Sequence, residues 1–400
     1  ELQQRHLRSL GFAAEARGER LEVAVPSWRH DVTQEEDLVE EVARAHGYDH
    51  IPEAAPELKG AWAHRTERQR LVGRVRATMM ARGFQEVCTS SLVSEPEAAA
   101  ARELTAQTGD AAEAGLRLRN PLSRENAVLR PNPLAGVMRA LSHNLRQGET
   151  SLRLFEVGAG FRPRGASDPP PGVRRGPHAP APPDEAPLPV EPLMLAAAAV
   201  GKRFAHAQDR DQAEVDFLEA KGLWEALFEE LRVDTLVWRP YAGQGWKPGA
   251  SAQVAAMGSR IGWAGEAAPR WLLTWEIEVP VHLLLVGLDP LIGRVPTAVS
   301  ARLPGRFPPV TRDLAFFVPE SAAFADVLEV VKREGRDRLA GVELFDVYSG
   351  PGTPEGMRSL AFALRFGHEE RTLTEAEVEE IQQRIVAAVT RECGGRLRER

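Results

Sequence analysis

The sequence predicts a multidomain α+β chain. Three observations carry this. Helical and strand periodicities alternate along the whole length without an internal repeat. A 400-residue chain that is 43% hydrophobic has enough apolar mass for about two or three separate cores. The last hundred residues, read alone, follow a split β-α-β-β-α-β pattern.

The first unit spans residues 1–56. Leu2, Leu7 and Leu10 predict an amphipathic helix, followed by a turn at Gly11 and an alternating strand over 21–25. A second helix runs from about Gln34 to His46 and stops at Gly47. The expected shape is a small acidic module with a winged-helix look. Because the chain opens on Glu1 inside a helix, it reads as a fragment of something longer.

The second unit spans residues 62–293. Thr66-Glu-Arg-Gln69 is a capping-box pattern that opens a helix with Leu71, Val72, Val75 and Met79 on its buried stripe. A strand over 86–93, a loop over 120–126, a helix from about Pro133 to Gln147 and a strand over 151–157 follow. Eleven of the 30 prolines lie between Arg162 and Pro192, which predicts a mobile loop inside this domain. A helix over 217–231 and several strands up to Leu288 complete it. Residues 293–309 form a Pro-punctuated linker.

The third unit spans residues 305–400. A strand over 310–318 leads to a helix with Phe324, Val327, Leu328 and Val331 on one face. Strands over 342–348 and 358–366 are joined by the turn Gly350–Gly356, and Thr372-Leu-Thr374 caps a long helix carrying Val378, Ile381, Ile385 and Val389. Residues 394–397 supply a last short strand. The result is a four-stranded antiparallel sheet with both helices on one face and the other face open. A bare sheet face suits a flat polymer such as RNA better than a small molecule.

Two cysteines, Cys88 and Cys393, support neither a disulfide framework nor a zinc site, which makes a reducing cytoplasm the expected compartment. The longest apolar run, residues 193–200, is too short to cross a bilayer. A net charge of −7 argues against adhesive nucleic-acid binding. From Gly305 onward there are 14 Lys and Arg against 17 Asp and Glu, so RNA contact must come from local placement. The candidates are Arg306, Arg312, Arg358, Arg365 and Arg371, with Tyr348 and Phe316 as possible stacking partners.

Two constellations invite a chemical reading. In the first unit, Asp37, Glu40 and Glu41 share a helix face, and Asp31 lies just upstream. Clustered carboxylates invite a hard cation such as Mg²⁺. Spacing alone instead favours an acidic first turn that complements the helix dipole, with Glu40 and Glu41 solvated. The unit holds 12 acidic and 6 basic residues, which speaks against a DNA reader. In the second unit, Arg153 and Glu156 are the pair to test for a nucleotide grip, but strand alternation sends them to opposite faces. No Walker loop, GxSxG or HExxH motif appears, and no catalytic constellation emerges.

Taken together, several segments resemble the β subunit of bacterial phenylalanyl-tRNA synthetase, from about its midpoint to its C-terminus. They are Pro26-Ser-Trp-Arg-His-Asp31 with Glu36–Arg44; Asn120-Pro-Leu-Ser123 with Val128-Leu-Arg130; Leu152–Gly158; Val310–Ala315; Val342–Tyr348; Ser359–Phe362; and Arg371-Thr-Leu-Thr374. The resemblance covers nearly the whole chain.

It implies three domains: the acidic module, an inactive class II aminoacyl-tRNA synthetase-like antiparallel-sheet domain, and a C-terminal ferredoxin-like anticodon-binding domain. It reverses the spacing argument by assigning Mg²⁺ to Asp31, Asp37, Glu40 and Glu41. It implies that ATP and phenylalanine chemistry belong to an α subunit, that two β subunits join two α subunits in an α₂β₂ tetramer, and that the terminal domain holds tRNA-Phe. The family's N-terminal half, with its editing domain, has no counterpart here, so no hydrolysis of mischarged tRNA is expected. A stand-alone RNA-binding or regulatory protein of synthetase descent is the rival. A self-sufficient class II ligase is disfavoured by the missing phosphate-gripping arginines.

Overall fold

The computed structural model describes residues 1–54, 64–105, 115–164, 188–203, 213–233, 236–296, 298, 307–368 and 371–398. Most of the Pro-rich stretch and of the linker before the third unit therefore lies outside the described residues. The chain divides into two compact units, Glu1–His64 and Arg65–Arg400.

The first unit packs helices Leu2–Ser9 and Glu35–His46 with a hairpin of Ala13–Arg17 and Arg20–Ala24. Leu7, Phe12, Ala14 and Val32 form its small core. Gly11 turns the chain between helix and hairpin at φ 89, and a Cβ there would lie 3.1 Å from the Trp28 ring. A side chain would be strained on both counts. Helix Glu35–His46 starts with a reciprocal box between Gln34 and Asp37.

Besides a short two-stranded ladder, the second unit contains two sheets among the described residues. The larger has seven strands in the order Gln85–Glu86, Leu152–Ala159, Leu193–Val200, His282–Gly287, Ser259–Ala267, Trp246–Ala256 and Val237–Pro240. Only the first pairing is parallel. Helices cover both faces. Glu67–Ala81 and Phe217–Glu230 bury Leu71, Val75, Met79, Trp224 and Phe228 on one side. Leu134–Arg146 buries Leu134, Met138 and Leu141 on the other. Each such fully buried large side chain stabilises the domain by about 1.5–3 kcal/mol before entropy is counted.

The strand expected over 86–93 is broken. Gln85–Glu86 pairs with Leu154–Phe155, whereas Leu92–Val93 pairs antiparallel with Val128–Leu129 in a separate two-stranded ladder. Between them, Thr89 and Ser90 turn their hydroxyls to Glu156 and to the Leu92 N–H, taking the segment out of the sheet. A helix not anticipated, Glu95–Glu103, follows at once, capped by Ser94 with Glu97 at its third position.

The smaller sheet has the order Leu339–Tyr348, Met357–Phe366, Val310–Pro319 and Arg396–Leu397, with every pairing antiparallel. Helices Phe324–Gly335 and Glu375–Cys393 cover one face. Leu314, Phe316, Val318, Leu360, Phe362, Leu364 and Phe366 point into the core beneath them, with Val327, Val331, Ile381 and Ile385 opposite. Phe316 is thus a core residue and not a stacking platform: it is fully buried, edge-on to Phe362 at 6.2 Å.

The long terminal helix begins with a full capping box. Thr374 accepts from the Glu377 N–H, and Glu377 returns to the Thr374 N–H at 2.9 Å. Arg371 and the Thr374 N–H and hydroxyl hold the Glu377 carboxyl well below the usual glutamate range. Folded-state depression means that this contribution is complete above about pH 5 and fades as pH falls further. Thr374→Ala is expected to cost about 1 kcal/mol. Urea unfolding followed by circular dichroism should show that loss at neutral pH and a smaller one in acid.

Candidate nucleic-acid interface

The uncovered face of the smaller sheet is built by alternation. Its central strands present Ser359, Ala361, Ala363 and Arg365 beside Phe317, Ala315, Asp313 and Thr311, each facing its register partner. The edge strand adds Tyr348 opposite Ser359, and Gly341 opposite Arg365. Arg396 stands opposite Phe317 on the short last strand. One cross-strand row therefore reads Arg396, Phe317, Ser359, Tyr348.

That row has the parts needed to take a base. Tyr348 is 39% exposed, and its hydroxyl donates to the Pro351 carbonyl at 3.2 Å, which braces the ring against the turn. Arg398 lies 5.8 Å from the Phe317 ring centre. Between the rings, the Ser359 hydroxyl is buried and has no hydrogen-bond partner. A buried polar atom left unpaired costs about 1–3 kcal/mol. The small Ala315, Ala361 and Ala363 leave the middle of the face flat. Asp313, Glu343 and Asp346 occur on the same face by register. Carboxylates repel phosphates but accept hydrogen bonds from base amino groups, so the face favours bases over backbone.

The arginines expected to contact RNA separate into different roles. Arg365 is exposed on the open face; its guanidinium lies across Gly341, where a Cβ would stand only 2.7 Å from Nη2. Arg358 points the other way and donates to the Ala322 carbonyl at 2.7 Å, tying the strand to the loop before its helix. Arg312 pairs with Glu375 at 3.2 Å, and Arg371 is engaged with Glu377 at the terminal helix cap. Arg306 lies outside the described residues. Sequence reasoning missed Phe317. The parity of Leu314, Phe316 and Val318 was the available signal, because it turns Phe317 outward.

In the acidic module the four carboxylates do not share a point. Arg29 gathers two of them, donating from Nη2 to Asp31 at 2.6 Å and to Glu41 at 2.7 Å. Arg44 takes the second Glu41 oxygen. The Arg29 guanidinium holds the Asp31 carboxyl down at about 2, and holds Glu41 below its usual range as well. Asp37 spends one oxygen on the Thr33 and Gln34 N–H groups at 2.7 and 2.9 Å, which lowers its pKa too. Glu40 is exposed. Glu41, expected in solvent, is buried. Among the described residues no three His, Cys, Asp or Glu side chains are placed to hold a metal ion. As arranged, these four residues do not fit Mg²⁺.

Arg153 and Glu156 diverge as alternation requires. Arg153 donates to the Arg82 and Arg203 carbonyls. Glu156 turns to the opposite side, where Arg130 meets it at 2.7 Å and Thr89 donates to its other oxygen at 2.6 Å. Neither is available to a nucleotide.

Comparison with known proteins adds a family. A model described as the phenylalanyl tRNA synthetase beta chain CLM domain matches residues 51–286. A ferredoxin-fold anticodon binding domain matches 305–398, and a tRNA synthetase B5 domain matches 1–48. The phenylalanine–tRNA ligase beta subunit of Syntrophotalea carbinolica is 30% identical over 99% of this chain and 47% of its own length. Those of Xanthomonas axonopodis pv. citri and Anaeromyxobacter dehalogenans are each 35% identical over 98% of this chain and 46% of their own. The chain spans about half the length of the curated relatives it matches. A pyrrolysyl-tRNA synthetase from Desulfitobacterium hafniense overlays 73% of the chain and 87% of its own at 16% identity, with a TM-score of 0.40.

Proposed function

Because the chain belongs to the phenylalanyl-tRNA synthetase beta-chain family, we propose that it is the recognition half of a phenylalanine–tRNA ligase. It orients tRNA-Phe through its terminal sheet while a partner α subunit carries out the ATP-dependent aminoacylation. The observation that carries this reading is the row Arg396, Phe317, Ser359, Tyr348 on an uncovered sheet face. Aromatic rings offer stacking to any base, and the neighbouring carboxylates discriminate among bases. The engagement of Arg153 and Glu156 with the chain's own groups supports a class II-like domain that scaffolds and does not catalyse. A winged-helix-like first module, an α₂β₂ assembly and a cytoplasmic setting belong to the same proposal. Among the described residues no helix is long and apolar enough to cross a membrane.

Deleting residues 307–400 tests it in the complex with a catalytic partner. Charging of tRNA-Phe is expected to be lost, while phenylalanine-dependent ATP–pyrophosphate exchange continues. Charging at the parent rate would remove the proposed role.

A further inference from the structure

The acidic module carries its own cation. Arg29 is 14% exposed at its side chain, and its guanidinium lies 5.1 Å from the Phe12 ring centre, against the module's core. From there it makes a fork to Asp31, with Nε at 3.0 Å from Oδ1 and Nη2 at 2.6 Å from Oδ2, and a further bond from Nη2 to Glu41 at 2.7 Å. Planar, delocalised and always charged, a guanidinium matches two carboxylates without the dehydration that a small divalent ion demands.

The charges close. Asp31 and Glu41 are matched by Arg29 and Arg44. Asp37, in the first turn of the helix, is held by backbone N–H groups that it must keep to start the helix, and Glu40 is exposed. For Mg²⁺ to take this set, it would have to expel Arg29 from Asp31 and Glu41 and uncap the helix Glu35–His46. We propose that Arg29 is the permanent internal counter-ion of Asp31 and Glu41, engaging the two carboxylates that a divalent cation at this cluster would have to take. The module is then locked by a covalently attached cation and is indifferent to divalent ions. The guanidinium ties the loop Pro26–Asp31 to the helix, a link across 12 residues of sequence.

Amide hydrogen exchange of the full chain tests this through the helix Glu35–His46. In the parent chain, protection there is expected to be the same in excess EDTA and in millimolar Mg²⁺. Titration with Mn²⁺ watched by electron paramagnetic resonance should show no saturable site that disappears in the Asp37→Ala, Glu41→Ala double variant. Arg29→Gln should raise exchange across the helix by about tenfold or more, since it strips hydrogen bonds to charged groups. Arg29→Lys keeps the charge without the fork and should fall between. If Arg29→Gln does not fold, the lysine variant and the metal titrations of the parent still decide. The proposal is overturned if EDTA strips protection from the parent and Mg²⁺ restores it, if a saturable Mn²⁺ site depends on Asp37 and Glu41, or if Arg29→Gln leaves exchange unchanged.

Discussion

Arg130→Ala is expected to be the most destabilising single change in the Arg65–Arg400 unit, at about 3–5 kcal/mol. Arg130 and Glu156 are 4% and 5% exposed at their side chains and 2.7 Å apart. Arg130 also donates to the Ala159 carbonyl and to Thr89, each at 3.0 Å, and Thr89 donates to Glu156. Removing the guanidinium strands a buried carboxylate and a buried carbonyl together. The local backbone is shaped around this network: a Cβ at Gly158 would stand 2.5 Å from Arg130 Nη2, and one at Gly136 would collide with the Thr89 hydroxyl. Replacing Arg130 with Met and Glu156 with Leu together should cost less than the single change, because no charge is then left unpaired. Urea denaturation of the two variants checks both statements.

Tyr348→Ala and Phe317→Ala are expected to have the largest effects on RNA binding with the fold intact. Both rings lie on the uncovered face, outside the core made by Leu314, Phe316 and Phe362. Base–aromatic stacking is worth about 1–3 kcal/mol per base, or roughly fivefold to more than a hundredfold in affinity. Each substitution should weaken tRNA-Phe binding within that range, without moving the unfolding midpoint by more than a surface change does. Ser359→Ala should do less to affinity than either ring change, since it removes a buried hydroxyl and no stacking surface. Filter binding with tRNA-Phe checks this order.

How much of this was legible in the sequence depended on how local the signal was. The terminal unit could be read almost whole, because period-2 strands, helical stripes and the Thr374–Glu377 cap are each encoded within a few residues. The divergence of Arg153 and Glu156 followed from alternation alone. The helix Glu95–Glu103 was not anticipated, although Ser94, Pro96 and Glu97 carry a local signal for it. The break between Glu86 and Leu92 was not legible, since it depends on Thr89 meeting a carboxylate 67 residues away. Nor was the partnership of Arg29 with Glu41, because sequence spacing does not fix the path of the loop between them. The same limit applied to the arginines: Arg312, Arg358 and Arg371 have long side chains whose partners are chosen by sheet edges and helix ends.

The most direct test compares two activities of one complex: the chain with a catalytic partner, carrying Tyr348→Ala and Phe317→Ala together. Phenylalanine-dependent ATP–pyrophosphate exchange and charging of tRNA-Phe are measured side by side at limiting tRNA. The account predicts exchange at the parent rate and charging reduced about tenfold or more. Equal charging by variant and parent, with exchange unchanged, would contradict it.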